Sequence, residues 1–146
     1  MKRQSIALLA LAVLGLVVVG SALAGARHTT KAPKAASVVI RHQLHHCHAW
    51  SLNGGAYAAS QSVTLAKGGT ITFTNNDVMP QPLVKLGGGA VLYAGNKALN
   101  KPSSVVRVTF TKSGRYVFGT KPGEDYMKGV NTIGADNVLK LVVTVS

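Results

Sequence analysis

The chain reads as an all-β protein, an antiparallel β-sandwich of about eight short strands. Three observations predict this. β-branched and aromatic residues gather in short runs, several runs alternate apolar with polar at period two, and Gly, Asn and Pro punctuate the gaps. No stretch carries a long helical period, although 94–102 has room for one short turn.

The elements follow in order. Lys2 and Arg3 form a positive start, Ile6 to Val19 is an apolar run broken only by Gly15, and Ser21-Ala22-Leu23-Ala24 supplies the small residues a signal peptidase needs. Residues 1–26 therefore read as a secretory signal peptide, with Ala24-Gly25-Ala26 as a second cleavage site. The apolar run is short of the ~20 residues a spanning helix needs. Retention of residues 5–26 as an anchor is the competing reading. Residues 27–36 have no apolar period and read as a flexible tether, which leaves 37–146 as one domain.

Within that domain the strand-like runs are Val38 to Arg41, Ser62 to Leu65, Thr70 to Thr74, Pro82 to Lys85, Val91 to Tyr93, Ser104 to Thr111, Arg115 to Phe118 and Val138 to Val145. Ile71 and Phe73 are expected inward against Thr70, Thr72 and Thr74 outward. Val106, Val108 and Phe110 are expected inward against Arg107, Thr109 and Thr111. Turns fall at Lys67-Gly68-Gly69, Asn75-Asn76-Asp77 and Lys112-Ser113-Gly114.

Composition narrows the function classes. Without Lys2 and Arg3 the chain has 14 basic residues against four acidic ones, a net charge near +10. The charges are spread along the sequence and are not interleaved with aromatics, which argues against nucleic-acid recognition. For an exported chain, in the periplasm, at the cell surface or outside the cell, the partners that fit are an acidic redox protein or copper acceptor, an anionic membrane or a cell-wall polymer. Cys47 is the only cysteine, so no disulfide forms within the chain, and a lone thiol in an oxidising compartment needs a reason to persist.

The run Ser62 to Asp77 with its Lys-Gly-Gly-Thr-Ile-Thr-Phe-Thr-Asn-Asn-Asp core, then Val78-Met79-Pro80, Val105 to Phe110, Ser113 to Phe118 and Val138 to Val145, resembles the cupredoxin family over about residues 37–146. The resemblance implies a Greek-key sandwich that binds one copper at one end, usually to shuttle electrons. It also exposes departures. Where family members place a His after the Asn-x-Asp-x-x-Pro turn, this chain has Gln81. Where they place Cys, His and Met after the strand ending at Phe118, residues 119–127 contain only Met127. The usual trigonal blue-copper set cannot assemble at the usual positions.

The ligand-type residues stand elsewhere. His42, His45, His46, Cys47 and His48 are five metal-ligating side chains in seven residues, with Trp50 just beyond. Thiolate and imidazole suit copper and zinc. In one extended strand His42, His46, His48 and Trp50 would share a face and His45 and Cys47 the other, while a bend at Cys47 would gather His46, Cys47 and His48. In the resemblance Met127 takes the place of the axial Met, with Met79 as second choice. Each has a plainer use: any one His can face away from a metal, Trp50 and both Met residues can fill the core, and Asp77 can shape its turn.

The expectation is thus an exported copper protein with a Cys/His/Met site that carries electrons or handles copper. The alternative is a metal-free sandwich that uses its basic surface on an anionic partner. Catalysis with Cys47 as nucleophile and a neighbouring His as base is disfavoured, because no orienting acid or oxyanion hole accompanies the pair, and the chain is read as a non-enzyme.

Overall fold

The computed structural model describes residues 31–42, 48–120 and 139–146, with His42 and His48 described by their backbone only. Its regular elements are ten strands: β1 (Ala35–His42), β2 (His48–Leu52), β3 (Tyr57–Ala58), β4 (Ser60–Leu65), β5 (Thr70–Asn75), β6 (Leu83–Gly87), β7 (Leu92–Gly95), β8 (Ser104–Thr109), β9 (Gly114–Thr120) and β10 (Lys140–Val145). One sheet has the order β3-β2-β1-β5-β8-β7 and the other β4-β10-β9-β6. The expected all-β sandwich is what the chain forms.

Two details go beyond that expectation. β1 runs parallel to β5 and β4 runs parallel to β10, so both sheets are mixed. Parallel neighbours need a crossover. Here the chain supplies it by passing to the opposite sheet and back, as between β3, β4 and β5. The second detail is the pair β2 and β3: β2 hydrogen-bonds to β1 and β3 to β2, in sequence that carries no strand signal of its own.

The alternation decides which faces meet. Ile71 and Phe73 on β5 and Val106, Val108 and Phe110 along and after β8 are fully buried, while Arg107 and Thr111 are exposed. Opposite them lie Tyr116 and Phe118 of β9 and Leu141, Val143 and Val145 of β10. Aromatic rings link the layers: Trp50 to Phe73 at 6.4 Å, Phe73 to Phe118 at 5.8 Å, Phe118 to Phe110 at 5.9 Å and Phe110 to Tyr116 at 5.0 Å between centroids. Such tilted and edge-on pairs add to the area they bury. The Tyr116 hydroxyl donates to the Lys112 carbonyl at 2.8 Å and so braces the turn before its own strand.

Register divides the sandwich into two ends. At one end β1 finishes and β2 starts, with His42 opposite His48, and here too lie the end of β5, the start of β6, the start of β8, the end of β9 and the start of β10. We call this the hairpin end. At the other lie the start of β1, the β4–β5 turn at 66–69, the β8–β9 turn at 110–113 and the end of β10.

Candidate metal centre

The hairpin end carries the chemistry. β1 buries Val38 and Ile40 on its inner face, and the same alternation continues to His42; β2 buries Trp50, and the same alternation leads back to His48. The register completes the pattern, since Ile40 pairs with Trp50 and His42 with His48. Two His positions six apart in sequence thus become cross-strand partners. The chain turns back here, so the picture of one extended strand from His42 to Trp50 does not hold, and the faces expected for His45, His46 and Cys47 fall outside the described residues.

Trp50 stands two residues beyond His48 on β2. It is 0% exposed, and among the described residues its Nε1–H has no hydrogen-bond partner. Its core role is plain from its contact with Phe73. Gln61, on β4, donates from Nε2 to the Trp50 carbonyl at 3.3 Å and to the Ala56 carbonyl at 2.9 Å, which ties β2 and the loop after it to the second sheet.

Beside the hairpin lies a buried polar knot. Asn75, at the end of β5, donates from Nδ2 to the Met79 and Leu99 carbonyls at 2.8 and 2.7 Å, and its Oδ1 accepts the Asp77 N–H at 2.8 Å. Asp77 Oδ1 accepts the Met79 N–H at 3.0 Å, so this carboxylate shapes its turn as the sequence predicts. The knot abuts β1 because the Asn76 N–H donates to the Ile40 carbonyl at 2.8 Å, two residues before His42.

Gln81 sits where the resemblance would place the first His ligand. It is buried, its Nε2 donates to Asp77 Oδ2 at 3.4 Å and its backbone N–H donates to the Leu99 carbonyl at 3.1 Å. The position serves turn structure, and the departure from a ligand there is structural as well as chemical. Met79 is buried beside it. Of the ligands named from sequence, His45, His46, Cys47 and Met127 lie outside the described residues, and among the described residues no three His, Cys, Asp or Glu gather as a metal group. The fit to copper at this end therefore rests on two backbone-paired His positions next to a buried Trp50 in the strand. The loop they close is only five residues long and contains both other His of the cluster and the one thiol.

No signal for Asn75 was visible beyond its turn, because its function depends on a partner 24 residues away, Leu99. The loop that carries Leu99 is held by left-handed backbone at Leu99 and Ser103, with φ of 45° and 64°.

No family model matches the chain, and neither does any curated protein. Solved structures do resemble it. A purple cupredoxin from Nitrosopumilus maritimus is 18% identical with a TM-score of 0.42, covering 75% of this chain and 98% of that one. Amicyanin from Paracoccus versutus is 16% identical with a TM-score of 0.39, covering 75% and 81%. The McoA multicopper oxidase from the hyperthermophile Aquifex aeolicus is 14% identical with a TM-score of 0.49, covering 79% of this chain but 27% of that one. The structural neighbours of this β-sandwich are cupredoxins, and the likeness is one of fold.

Proposed function

We propose that the chain is an exported copper-binding protein, acting in electron transfer or copper handling rather than catalysis, with its metal at the β1–β2 hairpin. One observation carries the reading: the register that pairs His42 with His48 closes a loop containing His45, His46 and Cys47. Two His paired across the end of a rigid sheet support the reading, because a soft-ligand site needs its donors held close together. His42 and His48 hold the metal from the strand ends, Cys47 supplies thiolate, and Met127 supplies a thioether from the connection between β9 and β10, which leaves and returns at the same end. Bound copper would supply one-electron chemistry or be the cargo itself. The protein's part is to fix the imidazoles in register and, through buried Trp50, to present a dry apolar neighbour that raises the strength of nearby electrostatics.

The test is a copper titration of the exported protein purified without a histidine tag, followed by optical spectrum. Stoichiometric uptake with an intense visible thiolate-to-copper band is expected, with the band lost in Cys47→Ser and altered in Met127→Leu. The double variant His42→Ala/His48→Ala should weaken binding by an order of magnitude. A band that survives redox cycling marks an electron carrier; rapid transfer of Cu(I) to a chelator marks copper handling. No stoichiometric uptake, together with an inert Cys47→Ser, sinks the metal reading.

The metal-free alternative has one observation of its own. Asp77 is the single acidic residue among the described ones and is buried, whereas every described Lys and Arg is exposed.

A further inference from the structure

We infer that the end of the sandwich opposite the hairpin is a lipid-docking surface, which seats the protein on an anionic membrane and turns the hairpin toward solution. Four cations that are far apart in sequence converge there. Lys34 precedes β1, Lys67 lies in the β4–β5 turn, Lys112 lies in the β8–β9 turn and Arg115 opens β9; all four are exposed.

Backbone hydrogen bonds lock these segments side by side. Ala66 N–H donates to the Pro33 carbonyl at 2.9 Å, Thr70 N–H to the Lys34 carbonyl at 2.9 Å, and Gly68 N–H to the Phe110 carbonyl at 2.8 Å. Register adds Gly114 opposite Val145 and Arg115 opposite Thr144. The cations are therefore fixed on one rigid end and do not depend on loop motion to gather.

No acidic side chain among the described residues offsets them. Among the described residues the one carboxylate side chain, Asp77, is buried at the far end. The chain's other three, Glu124, Asp125 and Asp136, belong to the connection between β9 and β10, which starts and finishes at the hairpin end. Among the described side chains this end is wholly positive.

Charge, an exposed apolar side chain and the route of the chain argue for lipid as the occupant. β1 enters the fold at this end, so the segment leading back through exposed Lys31 to the apolar run Ile6 to Val19 attaches here. Where residues 5–26 are retained as an anchor, the competing reading of the leader, an extended chain of at most about 3.6 Å per residue keeps Lys34 within roughly 50 Å of the bilayer. That tether raises the local concentration of the basic end at the lipid surface. Leu92, at the start of β7 and opposite Thr109, adds an apolar side chain that is 62% exposed at the same end. Basic side chains bordering an exposed apolar one suit the headgroup boundary, where charge attraction and shallow insertion add.

The experiment compares partition of the full exported chain onto vesicles of phosphatidylcholine alone and of phosphatidylcholine with phosphatidylglycerol. A clear preference for the anionic vesicles, weakened by salt, is expected. Since each Lys or Arg near an anionic leaflet contributes about fivefold, K34Q/K67Q/K112Q/R115Q should lower anionic binding on the order of 100-fold or more. K97Q/K101Q/K140Q, three exposed cations at the hairpin end, should change it little. Neutral glutamines and a matching thermal melt separate lost attraction from lost fold. Equal binding to both vesicles, or equal losses in the two variant sets, each overturns the inference. Because copper uptake is read at the other end, failure here leaves the metal titration intact, and failure there leaves this one intact.

Discussion

Asn75→Ala removes three hydrogen bonds from the hairpin end in a single step. The amide is 0% exposed, so water cannot replace its donations to Met79 and Leu99 or its acceptance from Asp77. A neutral hydrogen bond contributes about 1 kcal/mol net, and a buried group left unpaired costs about 1–3 kcal/mol. Leu99 keeps a second donor, the Gln81 N–H at 3.1 Å, which softens the loss at that carbonyl. Summing the three gives a destabilisation of about 3 kcal/mol. For a domain near 100 residues this corresponds to a fall in Tm of roughly 12 °C. Urea unfolding of the metal-free protein measures it as a lower midpoint at unchanged slope. Asn75→Asp should be no better, because it preserves the acceptor for Asp77 but sets a carboxylate oxygen against two carbonyls. An alanine variant within about 0.5 kcal/mol of the parent would show that the knot contributes little and refute the reasoning.

Three further outcomes follow from individual positions. Gly88 has φ +98°, and a Cβ there would lie 2.7 Å from the Arg115 carbonyl oxygen, so Gly88→Ala should cost about 3 kcal/mol in chemical unfolding. Trp50→Phe retains a ring against Phe73 and removes the unpartnered N–H, so it should stay within about 1 kcal/mol of the parent, whereas Trp50→Ala should cost about 3–5 kcal/mol; equal losses would mean that the indole N–H is in fact bonded. Burial raises the Tyr93 phenol above its ordinary 10.0, so an absorbance titration of Tyr93→Phe should lack a phenolate that forms late. A pKa raised in the folded state adds stability below the ordinary value, and that contribution is lost as pH climbs through the folded one, so Tyr93→Phe should flatten the alkaline end of a stability profile.

Strand faces were legible wherever period two is strict. Ile71-Phe73 and Val106-Val108-Phe110 are inward as the alternation requires, because a residue pair two apart must share a face whatever its neighbours are. The turn at Asn75-Asn76-Asp77 was legible for a similar reason, since Asn and Asp bond their own backbone locally. β2 was not legible, because His48-Ala49-Trp50-Ser51-Leu52 is short and mixed, and becomes a strand only by pairing with β1. Gln81 read as a missing ligand, and only its contacts to Asp77 and Leu99 give it a positive role.

The sequence alone therefore determined the sandwich, its inward faces and the unusual wealth of His and Cys between residues 42 and 48. These are local patterns, readable in a window of a few residues. The tertiary structure decided which distant residues meet. It set His42 opposite His48, tied the end of β5 to Leu99, and gathered Lys34, Lys67, Lys112 and Arg115, scattered over 82 positions, onto one end. The physical reason is that strand direction and register are set by hydrogen bonds between segments far apart in the chain, and no local pattern encodes which segment will be the partner.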